Sequence, residues 1–156
     1  MSRRGASSYT IHALPMGLEY GSATFNIVFE STLKRLYLRH SRGGGGGTQT
    51  GGFALVYHLP YSFQRWLAGP VIITRRSGTT TSFLARLYND AGTVDPAYTA
   101  SGVTIRPSAA DTWETFALPL PTGTYRAGER ALLDLESILP GNTNHDYRDV
   151  STDYSE

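Results

Sequence analysis

Four histidines and two groups of carboxylates are the side chains of this 156-residue chain best suited to chemistry. The histidines, His12, His40, His58 and His145, stand far apart, and no pair has the H-x-x-x-H spacing that brings two imidazoles to one metal. They read as strand-face or surface residues. Asp134 and Glu136 share one face of an alternating run, so they are neighbours on a strand rather than an acid and a base opposed across a sugar ring. Asp146, Asp149 and Asp153 crowd the end of the chain. There the Asn142–Asp149 stretch offers the clustered oxygens calcium prefers, but without a spaced D-x-D-x-D pattern. Serine, histidine and aspartate are all present, yet no G-x-S-x-G turn raises a serine nucleophile. The sequence therefore assigns no catalytic residue, no metal and no cofactor, and predicts a protein that is not an enzyme.

The glycine run Gly43–Gly47 imitates a phosphate loop in composition only. Thr48-Gln49-Thr50 and a strand follow it, where a phosphate cradle needs a Lys or Ser/Thr and a helix N-terminus. A flexible strand-to-strand loop is expected, ordered by packing of a neighbouring subunit. Trp66 and Trp113, with Tyr57, Tyr61 and Tyr88, are the aromatics from which a sugar-stacking platform could be built. Core or subunit interface is the commoner fate of such residues in a sandwich. The cations are almost all arginine, thirteen against the single Lys34. GC-rich coding would produce such a bias. Arginine is also the better interface cation, since its planar fork pairs bidentately and stacks on aromatics. Arg3, Arg4, Tyr9, Arg35, Arg39, Arg42, Trp66, Arg75 and Arg76 are accordingly the candidate contact residues.

The elements that must position these groups are strands. Alternation and turn signals mark Ala23–Glu30, Leu33–His40, Phe53–Leu59, Val71–Arg75, Thr80–Tyr88, Val103–Arg106, Trp113–Leu120 and Glu129–Leu135, while Gln64–Trp66 reads as a connection and Tyr147–Tyr154 as a final edge strand. No segment longer than a turn has helical periodicity with caps. The expectation is an all-β, antiparallel, jelly-roll-like sandwich of about eight strands, which limits exposed edges. Residues 1–21 read as an extended N-terminal arm with a short β-like piece at Tyr9–Leu14, and residues 22–156 as the jelly-roll domain. Phe25, Ile27, Phe29, Leu36, Leu38, Leu55, Ile72, Phe83, Leu87, Trp113 or Phe116, Leu133 and Leu135 are the expected core. The chain has no cysteine, so no disulfide, and its net charge of +1 argues against a general nucleic-acid or membrane-surface binder. No apolar run approaches the roughly eighteen residues of a membrane-spanning helix. The Arg3-Arg4 pair is followed by no apolar segment, so export by a signal peptide is not expected.

One resemblance rests on motifs in a fixed order: Leu59-Pro60, Trp66, S-G-T-T-T-S-F-L-A-R-L-Y-N-D-A-G-T-V-D, I-R-P-S-A-A-D-T-W-E-T-F, Y-R-A-G-E-R-A-L-L-D-L, then Asn144, Asp146 and Tyr154. From about Leu55 to Tyr154 the chain resembles the small jelly-roll virion proteins of tailed bacteriophages, in head decoration and tail appendages. That resemblance implies a non-enzymatic structural protein in the virion, assembled in the host cytoplasm. The expected role is a decoration (cement) protein that bridges major capsid protein subunits, as a homo-oligomer, a trimer first. The alternatives are a tail-fibre or tail-tip domain, or a carbohydrate-binding module for host-surface attachment with a glycan as partner.

Overall fold

The computed structural model describes residues 8–78 and 81–156, and among these there are twelve strands and no helix. In chain order they are β1 (Ser8–His12), β2 (Leu14–Gly21), β3 (Thr24–Glu30), β4 (Arg35–Arg42), β5 (Thr48–His58), β6 (Arg65–Trp66), β7 (Val71–Ser77), β8 (Phe83–Tyr88), β9 (Val103–Ile105), β10 (Glu114–Ala117), β11 (Arg130–Pro140) and β12 (Thr143–Ser155). Two antiparallel sheets form a jelly-roll-type sandwich. The first runs β10-β7-β12-β4-β3, with β1 and β6 also on β12, and the second runs β2-β5-β11-β8-β9.

The two sheets meet through the faces that the alternation marks. Leu55 and Tyr57 of β5, Leu133 and Leu135 of β11, and Phe83 and Leu87 of β8 are fully buried against Ile72 of β7 and Tyr147 of β12. Each buried leucine contributes about 1.5–3 kcal/mol through removal of apolar surface from water. A second aromatic group, Tyr57, Phe63, Trp66, Tyr125 and Tyr154, closes one end, with ring centroids 5.1–5.8 Å apart in edge-on or tilted pairs. Asp95 staples the loops there. Its carboxylate accepts from the N–H groups of Ala97, Thr122 and Gly123 and from the Tyr125 hydroxyl, at 2.8–3.1 Å. Burial raises its pKa, but these four donors outweigh burial and hold it below the usual carboxylate value.

The structure departs from the sequence expectation in three places. Ser8–Gly21 is not a free arm. Ser8–His12 pairs with Ser151–Ser155, and Leu14–Gly21 lies along β5, because both segments find an open strand edge to bond with. These two strands help raise the count above eight; Arg65–Trp66, expected in a connection, also pairs with β12, and β12 itself, expected at an edge, lies between β4 and β7. Met1 to Ser7, with Arg3 and Arg4, lie outside the described residues. Ile27, Phe29 and Leu36 are 56%, 58% and 61% exposed rather than core. Phe25, nearer the middle, is half-buried and packs on Phe53 at 4.4 Å between centroids, so the β3–β4 hairpin starts over the second sheet and then overhangs it. Alternation places these residues on the correct face, but nothing lies opposite at the tip.

The glycine loop is held by bonds within the chain. Arg42 donates to the carbonyls of Gly46, Gly47 and Leu139, and the Asn142 N–H donates to Gly43. Gly45 (φ 136°) and Gly47 (φ 71°) take backbone angles that side chains with a Cβ resist.

Candidate ligand-binding face

Because Tyr147 and Ile72 point into the core, their strand neighbours Asp146, Arg148, Ile73 and Arg75 must point out from the first sheet. The register then places Arg39, Asp146 and Arg75 directly opposite one another on β4, β12 and β7. Asp146, 1% exposed, accepts from Arg39 Nε (2.8 Å) and Nη2 (3.1 Å) on one side and from Arg75 Nη2 (2.9 Å) and Nε (3.1 Å) on the other. Two charge-assisted forks hold one carboxylate, and the hydrogen bonds that Arg39 donates to Asp146 raise the Arg39 pKa. The effect is to fix both guanidinium planes relative to the sheet.

Those fixed planes carry aromatic rings. The Arg75 guanidinium carbon lies 4.4 Å from the ring centroid of Trp113, Arg148 also 4.4 Å, and Arg35 5.7 Å. Tyr37, 8% exposed, lies beneath, 5.4 Å from Arg39 and 5.2 Å from Arg75, and meets Trp113 edge-on at 5.9 Å. Trp113 is half-buried and sits one residue before edge strand β10. Glu30, across the β3–β4 pair, bonds Arg35 at 3.3 Å. The result is an outward face with one indole, one phenol, four arginines and two carboxylates.

The sequence candidates divide accordingly. Arg35, Arg39 and Arg75 come together on this face. Tyr9 is 43% exposed and stacks on Tyr154 at 5.7 Å, well removed from that site. Trp66 is a core residue at 8% exposure, which corrects its reading as a contact residue. Arg76 is likewise buried and donates to the carbonyls of Pro107, Gly78 and Ser108, so it ties the sheet to a loop. Arg42 is committed to the glycine loop. The five aromatics weighed as a platform do not converge: Tyr57 and Trp66 are core, Tyr61 is 92% exposed, Tyr88 half-buried, and only Trp113 is on this face. Asp146, Tyr37 and Arg148 are the residues sequence reasoning missed. In the sequence Asp146 belongs to the terminal acidic group and to the late Asn/Asp motif, and its arginine partners lie 107 and 71 residues away.

Two other polar groups do other work. On the outer face of the second sheet, the Tyr20 hydroxyl donates to Asp134 (2.8 Å) and Glu136 (3.3 Å), and Arg86 pairs with both carboxylates while donating to the Ala100 and Ser101 carbonyls. Burial raises the Asp134 and Tyr20 pKa values. This group is satisfied by its own members. Between the sheets, Ser137 Oγ lies 2.9 Å from His145 Nδ1 and 3.2 Å from the Tyr147 hydroxyl, but both Ser137 and His145 are fully buried, out of reach of a substrate. The Asn142–Asp149 segment is strand from Thr143 on, and Asp146 is taken by arginines, so the oxygens do not gather. Among the described residues no three His, Asp or Glu are grouped to hold a metal.

No protein-family model and no curated protein matches the chain. Solved structures do. TmCBM61 in complex with β-1,4-galactotriose superposes with a TM-score of 0.54 at 10% identity, over 88% of each chain. A variant of a family 29 carbohydrate-binding module gives 0.53 at 13% identity, over 96% of this chain and 92% of the other. The arabinose-bound α-L-arabinofuranosidase MgGH51 gives 0.51 at 14% identity, with 86% of this chain matching 23% of the enzyme. The chain therefore has the β-sandwich fold of these modules.

Proposed function

We propose that the chain is a non-catalytic glycan-binding module, used for attachment, that takes its ligand on the Trp113 face. The observation that carries this reading is the cross-strand Arg39–Asp146–Arg75 row with Trp113 and Tyr37 beside it. Glycans are bound by an aromatic plane for C–H faces and by fixed polar forks for hydroxyl groups. This face combines both on a sheet whose strands are locked by the core behind them. The fold shared with two carbohydrate-binding modules supports the reading. On a glycan array and by titration calorimetry, the intact protein should bind a defined oligosaccharide class. Trp113→Ala should weaken it by at least about tenfold, the weight of one lost ring contact of about 1.5 kcal/mol, while the oligosaccharide stays uncleaved on prolonged incubation. Unchanged binding by the variant would remove the face from the mechanism.

A second reading, a virion subunit that packs as a homo-oligomer on a capsid or tail, is favoured by one observation. Ile27, Phe29, Leu33 and Leu36 leave more than half of each side chain in water on edge strand β3 and its hairpin. A cleft of ≈ 190 Å³ opens beside them, lined by Ala13, Leu38 and Val150 among others. Exposed apolar residues on an unpaired strand edge are a template for a second copy of the chain. Light scattering should then give an oligomer, a trimer first, that Phe29→Asp converts to a monomer. A native protein that is monomeric at high concentration would end this reading and leave the glycan reading untouched.

A further inference from the structure

We infer that the ligand of the Trp113 face is an acidic glycan, one carrying carboxylate or sulfate groups, and that Arg148 and Arg35 are the residues that select it. This rests on the glycan reading above and sharpens it. The face holds four cations, Arg35, Arg39, Arg75 and Arg148, against two carboxylates. Asp146 is consumed by Arg39 and Arg75, and Glu30 by a single 3.3 Å contact with Arg35. Arg148 has no ion-pair partner among the described residues, although it lies on the same strand face as Asp146. The Nε atoms of Arg35 and Arg148 are both buried and find no acceptor.

Those Nε atoms are covered, so an arriving oxyanion meets the outer N–H groups of the guanidinium, and for half-buried Arg148 these have no acceptor among the described residues either. The two unsatisfied groups stand on opposite strands, β4 and β12, and both approach the same indole. An acidic sugar fits that arrangement. Its anionic group can take the free N–H groups of one fork, bidentately if it is a carboxylate, while its ring lies along the edge of Trp113. A neutral sugar would leave those donors unpaired and the excess charge uncompensated. An extended nucleic acid would need a basic track along its backbone. The charge here is instead confined to one patch on a chain of net charge +1.

The test compares matched polysaccharides that differ only in charge: polygalacturonate against its fully methyl-esterified form, and dextran sulfate against dextran. Affinity is measured by titration calorimetry or affinity electrophoresis at low and at physiological salt. The charged member of at least one pair should bind about tenfold or more tightly than its neutral counterpart, and weaken with salt. Which pair responds distinguishes carboxylate from sulfate. Arg148→Gln and Arg35→Gln should each lose about tenfold toward the charged member, one charge-assisted hydrogen bond, with circular dichroism unchanged and Arg106→Gln, exposed elsewhere, without effect. Equal binding of charged and neutral forms that still depends on Trp113 would overturn the acidic ligand and keep the glycan reading. Binding of polyglutamate or an oligonucleotide as tight as polygalacturonate would also overturn it, as plain polyanion attraction. If no polysaccharide binds, the glycan reading falls with it.

Discussion

Asp146→Ala should be the most damaging single change on the outward face of the first sheet. The carboxylate is 1% exposed and takes four guanidinium hydrogen bonds of 2.8–3.1 Å from two neighbouring strands. Its removal leaves Arg39 and Arg75, 31% and 22% exposed, side by side with like charge and no partner. Breaking a buried pair in this way costs about 3–5 kcal/mol, of which partial hydration of the arginines returns some. Asparagine does not rescue it, because the amide presents an N–H₂ to a guanidinium where the carboxylate presented oxygen. Arg75 also loses the anchor that holds it 4.4 Å from the Trp113 ring, so ligand affinity should fall together with stability. Urea unfolding and calorimetry on the same samples check both. Asp153→Ala, which removes only an exposed bond from Thr10, is the control and should cost under about 1 kcal/mol. A variant with native stability and native affinity would show the row to be dispensable.

Acid should unfold the protein through two histidines that the binding face never touches. His40 and His145 are directly opposite each other on β4 and β12, 1% and 0% exposed, between the rings of Phe53, Phe83 and Tyr147. Burial pushes both pKa values down to about 4, and for His145 the neighbouring His40 and Arg76 add to the effect while Asp146 opposes it. In the unfolded chain each sits near 6.5. Between those values the unfolded state binds more protons, so stability falls as pH falls, by about 1.4 kcal/mol per pH unit per histidine. Full stability is present above pH 6.5. The loss by pH 4 is on the order of 5–7 kcal/mol for the pair, comparable with the whole stability of an ordinary domain. Thermal melts from pH 7.5 to 4.5 should show a steep decline. The double variant His40→Leu, His145→Gln should flatten it even if its melting point at neutral pH is lower. A native profile that is level across this window would refute the assignment.

Alternation carried much of the fold, and particular strands show its limit. Leu133 and Leu135 are buried as their spacing requires. Trp113, just before β10, and Phe116 within it separate onto opposite sides of the sheet, Trp113 to the outside and Phe116 toward the core. The same period at Ile27 and Phe29 misleads, because alternation says which side chains share a face and not whether a second layer covers it. The site was harder still. Arg39 and Arg75 are conspicuous in the sequence, but Asp146 gains its meaning only when β12 is inserted between β4 and β7. That insertion is a long-range pairing that no local pattern encodes.

The pairing of β1 with the end of β12 has a mechanical consequence. Ser8 stands opposite Ser155 and His12 opposite Ser151. A pull that separates Ser8 from Ser155 loads these cross-strand bonds one after another and peels β1 away at low force. A pull between Ser155 and a ligand held at Arg148 and Trp113 acts differently. Arg148 and Ser155 both lie on β12, so the covalent backbone of that one strand carries the load, and the part borne by Trp113 reaches β12 through β10 and β7. Tethered through its last strand, the module would resist tension along the direction from anchor to ligand and yield first where its two outermost strand ends meet.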